Sequence, residues 1–421
     1  MVGLRVEAGR RRGYRARSRT MACVAWIALV LALLATSAGP VSAASSQQSA
    51  PGVTSKTVTV GNIASLSGPI PGAFEGAPYG VEAYFAYINS KGGVNGRKLV
   101  VTSTDDAFTC QGSITQAQQL MGNVFALVGN FSLYDSCQAQ VLAKHPSVPD
   151  ISYALSQQAK ALPNLYSPQP SPPGSQTGPF RYLLSIHPQE TKVGAMSTTG
   201  SSAYSMRQQL AAMKSVGYKI VYTHSVPITQ ADYTSDILRM RNAGVNVLNI
   251  TDLTFPGQLL AEARLQNWHP LIIDPTLYSY TELETAGPGA DGAYIPLLEA
   301  MFLGQDRATN PAVDTFLTWI NKTHPGFKPD LFTFYGWISA ALFADALKAA
   351  GPNPTDSALY KQLKATNNFT AAGLVPSTDV GNKKPPLCYL MAQAQNNTWV
   401  RDYPKEGFTC KYAGYYYYRG Q

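Results

Sequence analysis

Histidine and cysteine are scarce, five of each in 421 residues, and neither is grouped as a metal site requires. There is no C-x-x-C pair, and His145, His187, His224, His269 and His324 are scattered, most of them directly before proline. A metal cluster would have to be assembled wholly by the fold. Motifs of common chemistries are missing too: no G-x-S-x-G elbow, no H-E-x-x-H, no Walker loop, and no G-x-G-x-x-G directly after a strand. Neither an enzyme nor a metal or other cofactor is expected.

Charge is also sparse, at 14% of residues, and the formal net charge of +8 overstates the basicity of the chain. Arg5, Arg10, Arg11, Arg12, Arg15, Arg17 and Arg19 against Glu7 account for a net six of those eight charges. What remains gives no footprint for nucleic acid. The apolar stretch from Met21 to Ala35 stops at 15 residues, short of the ~20 that a membrane span needs. With arginines before it and the small residues Val41-Ser42-Ala43 after it, the segment 1–43 reads as a secretory signal peptide, the alternative being a lone membrane anchor. The expected location is therefore outside the cytoplasmic membrane, in a periplasm or at the cell surface.

Export changes how the cysteines are read. Apart from Cys23 in the leader, Cys110, Cys137, Cys388 and Cys410 remain, an even number suited to two disulfides in an oxidising compartment. Three pairings are possible; closeness in sequence favours Cys110 with Cys137 and Cys388 with Cys410, and four buried free thiols are the alternative.

The rest of the chain is 45% apolar with 35 Gly and 29 Pro, a globular composition with many turns. Val58–Ile63 reads as a strand, Gly76–Ser90 as an amphipathic helix and Leu99–Ser103 as a strand, a β-α-β unit. Between helix and second strand, Gly92 suits a left-handed cap and Asn95-Gly96 a tight turn. Alternation continues through a helix from Ile114, strand Phe125–Gly129, a helix from Cys137 and strand Asp150–Ala154. The proline-rich run Ser167–Ser175 interrupts it and marks a crossing between lobes. A second series follows: strands at Lys192–Ser197, Lys219–His224, Val245–Ile250 and Leu271–Ile273 alternate with helices at Tyr204–Val216, Thr234–Ala243 and Pro256–Gln266. Helical patterns at Pro311–Thr323, Phe334–Ala349 and Asp356–Ala365 come next, and the end, Leu387–Ala392 with Thr398–Tyr403, reads as a hairpin. The expected fold is α/β, two doubly wound parallel-sheet lobes.

The run Val58-Thr59-Val60-Gly61, then Leu66-Ser67-Gly68-Pro69, Tyr87-Ile88-Asn89-Ser90-Lys91-Gly92-Gly93-Val94-Asn95-Gly96-Arg97-Lys98-Leu99 and Thr104-Asp105-Asp106, resembles the amino-terminal lobe of extracytoplasmic solute-binding proteins of the branched-chain amino-acid ABC transporter class. Cys110 and Cys137 are similar in placement to that family's lobe-one disulfide. The resemblance implies a periplasmic binding protein type I fold with three hinge crossings, lobe one being 54–168 plus 297–371 and lobe two 174–296 plus 372–412. It further implies a monomer that captures a small-molecule ligand and delivers it to an ABC permease. A ligand-sensing adaptor of the same fold is the alternative.

In parallel sheets, ligands sit beyond the carboxyl ends of strands. Ser65 and Ser67, in the loop after the first strand, are therefore candidates for the rim of an interlobe cleft, although Ser67 would equally suit a plain helix-capping turn. By the same rule and by the resemblance, the candidates extend to Phe131, Ser132 and Tyr134, to Ala154, Leu155 and Ser156, and in lobe two to Tyr204, Asp252, Thr254, Thr276 and Tyr278. Ser156 matches a family hydroxyl and Tyr204 a family aromatic at a helix start. One position departs: where the family carries a carboxylate for a ligand ammonium, this chain has Thr276. Asp252 or Asp274 could substitute, but aromatic acids, short organic acids and amides stand level with amino acids as expected ligands.

Overall fold

The computed structural model describes residues 50–420; the expected signal peptide lies outside the described residues. Strands β1 (Thr57–Ala64), β2 (Lys98–Asp105), β3 (Leu127–Val128) and β4 (Asp150–Ile151) form one sheet in the order β2-β1-β3-β4, every pair parallel. The chain then passes through β5 (Gly174–Gln176) into a second sheet of β6 (Lys192–Thr198), β7 (Lys219–Val226), β8 (Val247–Thr251), β9 (Leu271–Ile273), β10 (Tyr294–Leu297), β11 (Leu390–Gln395) and β12 (Thr398–Tyr403). Its order is β12-β11-β10-β9-β8-β6-β7, with β6 to β10 parallel and the β11–β12 hairpin added antiparallel at one edge. A short strand β13 (Tyr415–Tyr417) pairs with β5 in a separate ladder.

The central strands are apolar because both of their faces are covered. Val58, Val60 and Ile63 of β1 are wholly buried, as are Val247, Leu248 and Ile250 of β8. The edge strand β2 keeps polar residues on its outer face, and its Val100 is exposed.

Helices 311–323, 331–350 and 356–365 belong with the first sheet although they stand in sequence between β10 and β11 of the second, so the chain crosses between the lobes three times. The helix Leu331–Ala350 starts at a capping box made by Asp330 and Thr333 and ends at Gly351, whose φ is 89°. It crosses helix Gly76–Ser90 at glycines. A Cβ on Gly80 would stand 2.0 Å from the Thr333 carbonyl oxygen, and one on Gly336 would stand 2.1 Å from that of Ala77; only hydrogen lets the two backbones approach so closely. No helix among the described residues is long and apolar enough to cross a membrane.

Both disulfides are present in the pairing that sequence proximity favours, Cys110–Cys137 and Cys388–Cys410. The first ties the start of helix Cys110–Leu120 to helix Asp135–Leu142. The second closes the segment that contains β11 and β12.

Four elements differ from the sequence reading. Helix Gly178–Ile186 directly follows the proline-rich run, because Pro179 falls in its first turn, where a missing N–H removes no helical bond. The strands β5 and β13 have three residues each, too few to show a period of two. The expected strand Phe125–Gly129 contracts to Leu127–Val128, ending where Gly129 takes φ 69°.

Candidate functional site

A cavity of about 800 Å³ lies between the carboxyl ends of the strands of the two lobes. Of the residues expected from sequence, Phe131, Ala154 and Leu155 line it from the first lobe, and Asp252, Thr254, Thr276 and Tyr278 from the second. Ser65, Ser67, Ser132, Tyr134, Ser156 and Tyr204 do not line it.

Of the hydroxyls that stand back from the cavity, those of Ser67, Ser132 and Ser156 are engaged by the protein itself. Ser67 Oγ donates to Asp105, whose other oxygen accepts from the backbone N–H groups of Leu66, Ser67 and Ala107 at 2.9, 3.2 and 2.8 Å. Burial pushes the Asp105 carboxyl up, but these bonds outweigh it and hold the carboxyl below its ordinary range. The loop after β1 is thus gathered around Asp105. Ser65 is fully buried, and Ser132 Oγ donates to the buried Asp106. Ser156 Oγ accepts from the Ala159 N–H at 3.1 Å as the cap of helix Gln157–Lys160, while the Ser156 and Leu155 N–H groups donate to Asp135 at 3.0 and 2.7 Å. Tyr134 precedes helix Asp135–Leu142 and is about one-third exposed. Tyr204 lies in helix Ser201–Ser215 with its ring edge-on to Tyr418, 6.1 Å away.

The two candidate carboxylates separate clearly. Asp274 Oδ1 accepts from the Thr276 N–H, the Thr276 hydroxyl and the Leu277 N–H at 2.8, 2.6 and 3.2 Å, which ties it into the turn after β9. Its burial is complete, it does not line the cavity, and desolvation lifts it to about 7 despite those bonds. Asp252, directly after β8, faces the cavity in a left-handed backbone conformation with φ 48°. Its carbonyl oxygen accepts from Thr198 Oγ1 at 2.9 Å, and its carboxyl makes no hydrogen bond to the described residues. Burial raises that carboxyl to about 6, with the Lys160 charge opposing the rise.

Lys160 is a feature that motif reading missed. It reaches the cavity from the first lobe at the end of the short Ser156-capped helix, and its ammonium has neither an ion pair nor a hydrogen bond among the described residues. Burial lowers it to about 8, with Asp135 and Asp252 pulling the other way. A lone lysine in Gln157-Gln158-Ala159-Lys160-Ala161 carries no sequence signal.

Aromatic rings from distant segments form the wall beside it. Tyr153 stacks on Tyr335 at 4.5 Å, Phe131 lies 4.6 Å from Phe332, and Phe74 meets Phe332 edge-on at 4.6 Å. Phe332 and Tyr335 come from the first turn and a half of helix 331–350, which from sequence is only a long apolar helix. Glu299, on the second crossing, also lines the cavity; it is buried, its Oε2 accepts from the Leu298 N–H at 3.0 Å, and desolvation lifts it to about 8, so it is mainly neutral at pH 7. The described residues contain no group of histidine, cysteine and carboxylate side chains placed to hold a metal ion.

Two parallel-sheet lobes enclosing an aromatic-walled cavity agree with the family match, in which the Periplasmic binding protein family covers residues 57–398. The chain belongs to this family. A curated relative, Leu/Ile/Val-binding protein homolog 1 of Brucella suis, is 23% identical over 328 residues, 75% of this chain and 85% of the relative. Among solved structures, the fatty acid ABC transporter substrate-binding protein from Thermomonospora curvata matches with a TM-score of 0.73 and 19% identity, covering 86% of this chain and 94% of that one. An R. palustris ABC transporter solute binding protein in complex with 4-hydroxybenzoate matches with a TM-score of 0.69 and 16% identity, covering 85% and 98%. The branched-chain amino-acid class indicated by the motif resemblance is therefore the right one. The protein is a substrate-binding protein of that ABC transporter family, a family of extracytoplasmic, ligand-binding proteins and not of enzymes.

Proposed function

We propose that this binding protein captures a small organic carboxylate with an aromatic or long apolar body between its lobes, and delivers it as a monomer to an ABC permease outside the cytoplasmic membrane. The observation that carries this reading is the unpartnered Lys160 ammonium inside a cavity walled by Phe74, Phe131, Phe332, Tyr153 and Tyr335. The half-buried ammonium feels the charges of Asp135 and Asp252 but contacts neither, which leaves it open to a ligand carboxylate. A volume of about 800 Å³ is at the large end for small-molecule sites and leaves room around a bare amino acid. The engagement of Asp274 in its own turn removes one of two anions that could have required a ligand amine. The fatty acid and 4-hydroxybenzoate named for the two solved relatives are both carboxylic acids with apolar bodies. Binding would close the lobes about the three crossings, and the closed form is what the permease would recognise.

Thermal-shift and calorimetric titration with octanoate, benzoate, 4-hydroxybenzoate, leucine and benzamide tests the ligand class. The carboxylates stabilise the wild type, by about 2.7 kcal/mol at 100 times the dissociation constant, benzamide does not, and Lys160→Met abolishes the effect. Stabilisation by leucine alone would overturn the reading. Loss of uptake of the bound carboxylate by cells lacking this chain tests delivery.

A further inference from the structure

We propose that Tyr415 is a ligand-contacting residue and that the strand carrying it is a strap holding the first interlobe crossing against the second lobe. Tyr415 lies 239 positions after its strand partner Gln176, yet its ring forms part of the cavity lining and its hydroxyl donates to the Pro172 carbonyl at 2.5 Å. The strand pairs Tyr415, Tyr416 and Tyr417 with Gln176, Ser175 and Gly174. Backbone bonds extend the ladder at both ends, from the Thr177 N–H to the Gly414 carbonyl and from the Tyr418 N–H to the Pro173 carbonyl, each at 2.9 Å.

The sequence is fitted to this contact. Gly174 has φ 145°, and a Cβ there would stand 2.1 Å from the Tyr416 carbonyl oxygen, so any other residue would push the strand away. Helix Ser201–Ser215 of the second lobe backs the ladder from behind: Gln208 Oε1 accepts from the Gly174 N–H at 2.5 Å, and Tyr204 packs against Tyr418. On its other side the crossing is joined to the second one, with Gln169 Nε2 donating to the Leu298 carbonyl at 2.9 Å. A ligand touching Tyr415 therefore touches a strand bonded to the segment about which the lobes must turn. This rests on the reading of the cavity as the ligand site.

The test uses the aromatic anion 8-anilinonaphthalene-1-sulfonate as a fluorescent probe, together with hydrogen exchange at the Thr177 and Tyr418 amides. Tyr415→Ala weakens probe binding by about tenfold, as truncation of a buried aromatic contact does, and leaves both amides protected. Tyr416→Ala, on the opposite face of the strand, matches the wild type in both measurements. Gly174→Ala weakens the probe as Tyr415→Ala does and speeds exchange at both amides; deletion of 415–421 repeats the exchange measurement at Thr177 with the crossing itself unaltered. Unchanged probe affinity in Tyr415→Ala, or no probe binding to the wild type, overturns the contact. Unchanged exchange in both Gly174→Ala and the deletion overturns the strap. If carboxylates fail in the ligand screen while the probe still distinguishes Tyr415→Ala, the ligand class is wrong and the strap stands.

Discussion

The rings of Tyr153 and Tyr335 stack at 4.5 Å with only 6° between their planes, although one follows β4 and the other lies in a helix that begins 178 residues later. Both residues line the cavity, and an aromatic ligand can add to such a stack where an aliphatic chain cannot. Tyr335→Ala should therefore weaken benzoate binding by about tenfold and octanoate binding by much less, a difference of roughly 1 kcal/mol. Calorimetry with the two acids reads it directly, and equal losses would remove the pair from ligand selection.

Affinity for a carboxylate should fall as pH rises. Lys160, lowered to about 8, is cationic only below that value; Asp252, raised to about 6, and Glu299, raised to about 8, are neutral below theirs. Each group therefore makes the cavity more negative as it loses its proton, and all three act in one direction between pH 6 and pH 9. A titration series should show at least about a tenfold loss over that range. In Asp252→Asn the step near 6 should vanish and the one near 8 remain. Affinity that rises with pH would contradict the assignment of Lys160 to the ligand anion.

Ser156→Ala should behave as the loss of a helix cap. Its hydroxyl accepts from the Ala159 N–H and the residue does not line the cavity, so stability should drop by about 1 kcal/mol. Affinity should follow only through the position of Lys160 on the same short helix. Chemical denaturation and calorimetry on one preparation separate the two effects. A large loss of affinity with unchanged stability would restore Ser156 as a direct ligand contact.

Gly336→Ala should overpack the crossing of the two long helices, where the added carbon meets the Ala77 carbonyl oxygen. The expected loss is about 1 to 3 kcal/mol, measured as a shift of the denaturation midpoint. A neutral result would mean that the helices separate freely at this point.

Removing the Cys110–Cys137 bond by a double substitution to serine should lower stability by roughly 2 to 4 kcal/mol, since it closes a loop of 27 residues. Removing Cys388–Cys410 should act similarly over its separation of 22. Peptide mapping of unreduced protein checks the pairing itself; a Cys110–Cys388 product would be incompatible with this structure.

What could be read from the sequence was local. Helix Gly76–Ser90 matches its expected limits, and the following turn uses φ of 101° at Gly92, 49° at Asn95 and 79° at Gly96, as turn chemistry requires. Those signals lie within a few residues of the structure they specify. The rule that ligands gather beyond strand ends led to the loops at Ala154–Leu155, Asp252–Thr254 and Thr276–Tyr278, all of which line the cavity. It could not separate hydroxyls facing the cavity from those turned into the protein, because Ser67 and Ser156 would look the same in either role. Lys160, Phe332, Tyr335 and Tyr415 gave no signal, since their placement depends on segments far apart in the chain.

The ladder between β5 and β13 also sets an order of events. Residues 174–176 cannot find their partners until position 417 has been made and, in an exported chain, has crossed the membrane. The second sheet likewise waits for β11 and β12 before its edge beside β10 is covered. These two closures join segments far apart in the chain and are slow to form. The part of the cavity lining that Tyr415 supplies is therefore the last to be put in place.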